Sequence, residues 1–393
     1  MPPEPDPAEA RAPRDPDVRP DLPTPPAPSS GHAELPRKLA LALQGGGSHG
    51  AFTWGVLDTL LADGRLAIEA LSGTSAGAVN AVALAAGWAQ GGEPGARKRL
   101  AEVWSEIAQW GTLGAWQAVW SRMLWGGQPG AQWAHTNLWA HAFNGWLSPY
   151  QTNPFDLNPL RDLLRRRIDF RALRRPGVPR VFVSATHVAT GKAAIFSGSA
   201  LDAEAVTASA CLPTLFQAVE IDGQAYWDGG YSVNPPLSPL IASCGDPDLV
   251  VVQINPLRRD NRADTADEIL DRMNELTFNA SLLAQMRGID RINRLLADGH
   301  LTGSHCKPVR LHRIDGGAPL RAFTAASKTD PDPGLIRELF RIGQEAARAW
   351  LVRHFDALGR RSTVDVRRDY EDDTRIDWPQ ACPMPQPGPG GAP

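Results

Sequence analysis

Residues 67 to 88 read AIEALSGTSAGAVNAVALAAGW. Ala67 to Leu71 has the composition of a buried strand, and Ala76 to Trp88 that of an alanine-rich buried helix. Between them stands Gly73-Thr74-Ser75-Ala76-Gly77. A G-x-S-x-G turn that joins a strand to a helix is a nucleophile elbow. The turn is so tight that small residues are needed two positions either side of the serine. It lifts the hydroxyl to the carboxyl edge of the sheet, where the helix N-terminus favours developing negative charge. The plain alternative is a glycine-serine turn; the strand before and the helix after favour the elbow.

The flanking segments repeat the same grammar. Lys38 to Leu43 is a short apolar run, and His49 to Leu61 carries Phe52, Val56, Leu57, Leu60 and Leu61 at helical spacing. Between them lies Gln44-Gly45-Gly46-Gly47-Ser48-His49-Gly50. Consecutive glycines leave backbone N–H groups unshielded, so Gly45, Gly46, Gly47 and Ser48 suit an oxyanion hole for acyl transfer. Two other readings compete: an ordinary glycine turn, and a Rossmann-type nucleotide-binding module, since Gly45, Gly47 and Gly50 satisfy G-x-G-x-x-G. The nucleotide reading needs an acidic residue at the end of the next strand to hold a ribose. That strand ends Leu71-Ser72-Gly73, without one.

Towards the C-terminus, strands are expected at Arg180 to Thr186 and Ala193 to Ser197, around the turn Thr190-Gly191. A second hairpin, Ala218 to Ile221 and Ala225 to Trp227, turns at Asp222-Gly223 and runs into Asp228-Gly229-Gly230. Leu249 to Ile254 reads as a strand covered on both faces, and Pro308 to Ile314 as another. Helices are expected at Pro159 to Ile168, Thr265 to Leu296 and Leu335 to Phe355. The pattern implies a three-layer α/β/α fold around a mostly parallel central sheet. Asp228-Gly229-Gly230 alone reads as a turn, but it opens right after a strand and offers a carboxylate to the serine.

Taken together and in this order, the glycine loop, the elbow and the distant Asp-Gly-Gly resemble the patatin-like phospholipase family. The resemblance implies a serine-dependent lipid acyl hydrolase with Ser75 as nucleophile and Asp228 as base, acting through an acyl-serine intermediate. Gly50, Gly73, Gly77, Gly229 and Gly230 are its motif glycines. It covers about Lys38 to Arg259 and extends to Ala208-Ser209-Ala210-Cys211-Leu212-Pro213 and Val233-Asn234-Pro235-Pro236. Gln44 and His49 stand where the family's loop often has Asp and Arg, so the loop lacks a fixed positive charge, which bears on phospholipid preference rather than on ester hydrolysis. No metal or organic cofactor is implied. A carboxylate working as a base calls for desolvation to raise its pKa. The competing enzyme reading is an α/β-hydrolase triad, which needs a late histidine such as His300, His305 or His312. His187 reads as structural.

The bulk composition is compatible with this. A formal net charge of −3 gives no case for nucleic acid. Cys211, Cys244, Cys306 and Cys382 form no CxxC pair and no metal-ligand spacing with histidine. No apolar signal region follows the N-terminus, and Ala76 to Ala89 is too short to span a bilayer. A cytoplasmic protein, peripheral to membranes where it meets them, is therefore expected. Residues 1–36 hold 12 of the 35 prolines and read as a disordered tail. The hydrolase domain is expected over 37–360, and 361–393 as a second, largely disordered tail. Eight of the 13 tryptophans fall between Trp104 and Trp146, in a segment (104–150) that reads as an irregular core filler or as a lid meeting lipid, and in either case as a wall of the acyl pocket.

Overall fold

Along β1 (Arg37–Leu43) leucine alternates with alanine, and the two-residue period of a strand sends them to opposite faces. Leu39, Leu41 and Leu43 enter one core with α1 (Gly50–Asp63), α2 (Ala76–Leu124) and α7 (Pro333–His354). Ala40 and Ala42 enter a second core with Leu240 of α5 (Ser238–Ser243) and with Leu282 and Met286 of α6 (Ala266–Ala297). β7 (Asp248–Gln253) divides in the same way, Val250 and Val252 to the first core and Leu249 and Val251 to the second. A strand apolar on both faces needs a layer of helices on each side, and that is the architecture here. The computed structural model describes residues 35–124, 148–245, 248–259, 263–301, 307–323 and 326–371, with side chains in α2 described as far as Gly111.

The remaining strands are β2 (Leu66–Thr74), β3 (Arg180–His187), β4 (Ala193–Ser197), β5 (Val219–Ile221), β6 (Gln224–Asp228) and β8 (Arg310–Asp315), and between α2 and α5 the chain forms α3 (Pro159–Arg167) and α4 (Ala203–Ser209). Their order is β5-β6-β3-β2-β1-β7-β8, with β4 paired to β3. The run β3-β2-β1-β7-β8 is parallel throughout. Pairings β3–β4, β3–β6 and β5–β6 are antiparallel. The chain leaves β1 for β2 on one side, and β7 lies on the other, so the loop after β1 opens at a topological switch point. Open α/β sheets bind ligands in the crevice there.

Register brings two distant segments together at that edge. β4 pairs with β3 at both Ser184 and Ala185, which occupies one edge of β3 at these residues. On the other edge Thr74, the last residue of β2, pairs with Ser184. Asp228, the last residue of β6, pairs with the next residue, Ala185. Ser75 and Asp228 therefore leave the sheet side by side.

Three segments differ from the sequence expectation. The elbow helix does not stop at Trp88: it breaks at Gly91 and Gly92 (φ 60°, ψ −145° at Gly92), and helix resumes after Gly92, with Pro94 in its first turn, and runs to Leu124. Proline is accepted in a first helical turn because its missing N–H would find no partner there. Trp104 and Trp110 thus sit on regular helix, not in irregular chain; the side chains of the other six tryptophans to Trp146 lie outside the described residues. Finally, within 361–393, residues 361–371 pack on the domain: Val366 and Tyr370 of α8 (Val366–Tyr370) are buried in the second core, and Tyr370 Oη donates to Gln253 Oε1 at 2.9 Å. Of the expected tails 1–36 and 361–393, residues 1–34 and 372–393 lie outside the described residues. Among the described residues no helix is long and apolar enough to cross a membrane.

Candidate active site

The turn from β2 into α2 is as tight as the sequence requires. Ser75 has φ 54°, a left-handed conformation that L-residues adopt at a cost of roughly 1–2 kcal/mol. A β-carbon at Gly73 would overlap the Gly77 carbonyl, and one at Gly77 would overlap the Leu43 carbonyl of β1. Both glycines are thus demanded by backbone approach. The Ser75 N–H donates to Ser209 Oγ at 2.8 Å, and the Ser75 carbonyl accepts from Val79 N at 3.1 Å, opening the helix. The neighbouring Thr74 Oγ1 reaches Ser184 Oγ at 2.6 Å and donates to the Val233 carbonyl at 2.9 Å.

Asp228 is fully buried. Its backbone is held at both ends: its N–H donates to the Cys211 carbonyl at 2.8 Å, and its carbonyl accepts from Thr186 Oγ1 at 2.7 Å. Oδ1 accepts from Gly230 N at 2.7 Å, whereas Oδ2 is buried and has no hydrogen-bond partner among the described residues. Burial pushes the carboxyl up from 3.8 to about 7, opposed by the Gly230 N–H and by the Ser75 hydroxyl. The Ser75 hydroxyl is thus close enough to favour the carboxylate, yet it does not stand in hydrogen-bond geometry to Oδ2. An unpartnered, desolvated carboxylate oxygen beside a serine is poised to accept a proton.

The glycine loop requires one correction. The Gly45 N–H is spent on Asn234 Oδ1 at 2.6 Å, so Gly45 is no oxyanion donor. Its carbonyl accepts from Asn255 Nδ2 at 2.9 Å. Gly46, Gly47 and Ser48 do line the cavity that holds Ser75 and Asp228. Gln44, a departure from the family pattern, ties the loop to the end of β7: Oε1 accepts from Ile254 N and Asn255 N, each at 2.8 Å, and Nε2 donates to Asn279 Oδ1 at 2.9 Å. His49 is buried with Nε2 2.7 Å from Ser327 Oγ; burial first, then the charges of Lys328 and Arg259, lower its pKa to about 3, so it is neutral. At the loop's far end, Trp104 Nε1 donates to Asn80 Oδ1 at 2.8 Å and Asn80 Nδ2 to the Gly50 carbonyl at 3.0 Å. That is a structural part for Trp104.

The cavity measures about 540 Å³, within the range of small-molecule sites. Its wall is mostly apolar, with Val79, Ile107, Trp110, Leu212, Phe216 and Phe278 among its residues. Among the described residues no histidine lines it. His312 is buried at β8, its Nε2 and Nδ1 each 3.0 Å from Asp248 Oδ1 and Thr363 Oγ1. His187 bridges Thr190 and Gln224, a structural role. His300 is exposed after α6, and His305 lies outside the described residues.

Compared with known proteins, residues 41–241 match the family model described as patatin-like phospholipase. The chain belongs to this family. A patatin-like phospholipase is a lipid ester hydrolase, and the elbow, the Asp-Gly-Gly turn and the glycine loop all fall inside the matched region. Among solved structures, VipD from Legionella pneumophila shares 16% identity with a TM-score of 0.43, over 86% of this chain and 73% of that one. Human GIVD cytosolic phospholipase A2 in complex with methyl gamma-linolenyl fluorophosphonate shares 14% identity with a TM-score of 0.36, over 82% of this chain and 58% of that one. No curated protein matches the chain.

The patatin-like region does not complete its own site. Asn255, Asn279 and Lys328, which hold the glycine loop directly or through one another, lie beyond residue 241. Asn234 lies inside it, in a stretch noted for family likeness but without an assigned role. Asn234→Ala would leave the buried Gly45 N–H unsatisfied, a loss of roughly 1–3 kcal/mol. A fall in urea-unfolding stability of that size is expected, together with slower ester turnover. Unchanged stability would show that the Gly45 N–H finds another acceptor.

Proposed function

We propose that this protein cleaves carboxylic esters of lipid acyl chains with a Ser75–Asp228 dyad. The observation that carries the reading is the convergence of the two residues: chain segments about 150 residues apart end on consecutive residues of one edge of β3 and open on one apolar cavity. Ser75 Oγ attacks the ester carbonyl carbon while its proton passes to Asp228 Oδ2. The carbonyl oxygen becomes an oxyanion facing the N–H groups of Gly46, Gly47 and Ser48. Collapse expels the alcohol, which takes the proton from Asp228, and leaves acyl-Ser75. Water then repeats the sequence: Asp228 removes its proton, the acyl–oxygen bond breaks, and Ser75 Oγ recovers a proton from Asp228. The cavity wall supplies room and apolar surface for an acyl chain. A triad is not favoured, because the described histidines at positions 300 and 312 stand away from the cavity. The nucleotide reading is not favoured either, because the loop that would cradle phosphates borders the elbow serine.

A fluorophosphonate probe tests the assignment. It should form one adduct, mapped by peptide mass spectrometry to Ser75, and its uptake should parallel the loss of fatty-acid release from phospholipid vesicles. An adduct on another residue, with activity lost in step, would transfer the nucleophile role elsewhere.

A further inference from the structure

Two charged residues line the cavity among the described residues: Asp228 and Lys328. Asp228 has a task in the mechanism; Lys328 has none so far. It belongs to the turn Ala326–Thr329, about 100 residues along the chain from Asp228. Its backbone lies so close to the glycine loop that a β-carbon at Gly47 would overlap the Lys328 carbonyl. Its Nζ donates to Asn255 Oδ1 at 2.6 Å. Asn255 Nδ2 in turn donates to the Gly45 carbonyl at 2.9 Å.

The chemistry of each group fixes the next. An ammonium has donors and no acceptor, so the Asn255 amide can only turn its oxygen to Lys328, which leaves its NH₂ for Gly45. A cation on the amide oxygen also polarises the amide and strengthens the hydrogen bond made at its other end. The Gly45 carbonyl and the Gly46 N–H belong to one planar trans peptide and point in opposite directions. Drawing the carbonyl towards Asn255 therefore aims the Gly46 N–H away from it. Asn234 also touches Gly45: its Oδ1 accepts from the Gly45 N–H at 2.6 Å, and its Nδ2 reaches the same carbonyl at 3.5 Å, so the shorter bond, from Asn255, dominates the carbonyl. The loop's basic residue, His49, is neutral and turned to Ser327, so it contributes no charge.

We propose that Lys328 is the positioning residue of the oxyanion loop: through Asn255 it sets the direction of the Gly46 N–H, and it supplies the positive charge that Gly45 to Gly50 lack. The proposal rests on the Ser75 acyl-transfer reading. It also gives the chain beyond the family-matched region a part in the reaction.

The test uses the full chain and an uncharged short-chain p-nitrophenyl ester, which has no headgroup to recognise. K328M should lower kcat by roughly 10- to 100-fold, less than the roughly 10²–10³ that a direct oxyanion donor supplies, with KM within about twofold. Binding of a boronic acid that mimics the tetrahedral adduct should weaken by a similar factor. K328R should restore most of the rate, and K328Q, which can still donate but carries no charge, should fall between. The loss in K328M with Asn255→Ala should not exceed that of the worse single variant, since the two act in series. Melting temperatures accompany each variant, and K328Q carries the comparison if K328M does not fold. An unchanged kcat, additive losses, or an effect confined to KM for anionic phospholipid would each overturn the proposal. Fluorophosphonate mapping separates the premise: wild type labelled away from Ser75 sinks the acyl-transfer reading, whereas Ser75 labelled at one rate in wild type and K328M sinks Lys328 alone.

Discussion

Ser75→Ala should abolish ester turnover and fluorophosphonate uptake while leaving the circular dichroism spectrum unchanged. The loss should be close to complete, because Ser75 is the serine of the elbow, whereas Ser48, the other serine on the described wall of the cavity, belongs to the glycine loop. The β-carbon is retained, so the strain of φ 54° is retained as well. Ser75→Gly should be equally inactive but more stable, by up to about 1–2 kcal/mol, since glycine occupies the left-handed region without a steric penalty. A glycine variant no more stable than the alanine one would mean that the elbow is not strained. Residual turnover near the wild-type rate in either variant would remove Ser75 from the mechanism.

The elbow was legible because its determinants are local. Gly73 and Gly77 are needed for close approach within and beside one turn, so their spacing around Ser75 is visible in a stretch of five residues. The alternation in β1 and the full apolar run in β7 likewise carried the two-faced sheet. The glycine loop was legible only in part. Which of its N–H groups are free depends on Asn234, 189 residues from Gly45, and no local pattern encodes that contact. Lys328 is a similar case: a lone lysine in a polar loop carries no signal until the fold lays it against Gly47. The helix beyond Trp88 was missed because Gly91-Gly92-Glu93-Pro94 reads as a stop, and it is one; a second helical segment starts immediately. Val366 to Tyr370 makes little more than one turn, too short for a helical period to show, and its place in the fold comes from burying Val366 and Tyr370.

Asp228→Asn should lower kcat/KM by at least the roughly 10²–10⁴-fold that a positioned general base supplies. His300→Ala and His305→Ala should retain most of it. His312→Ala should retain it per folded molecule, although losing a buried link to Asp248 and Thr363 will lower stability. The wild-type pH profile should rise through about pH 7 to a plateau, because burial holds the Asp228 carboxyl there and the base must be ionised to accept a proton. The same burial predicts an opposite trend in stability. Asp228 binds its proton more tightly folded than unfolded, so its contribution is complete below about pH 3.8 and is lost as pH rises through about 7. Asparagine cannot ionise and its amide oxygen can still accept from Gly230, so the variant's melting temperature should gain on wild type across that window and hold its lead above it. An inactive variant that grows relatively more stable towards neutral pH is the signature of a carboxylate kept buried for catalysis. Loss of activity without any pH-dependent gain would point to a structural Asp228. A histidine variant that is folded yet as inactive as Ser75→Ala would make the base a histidine, and Asp228 a turn residue.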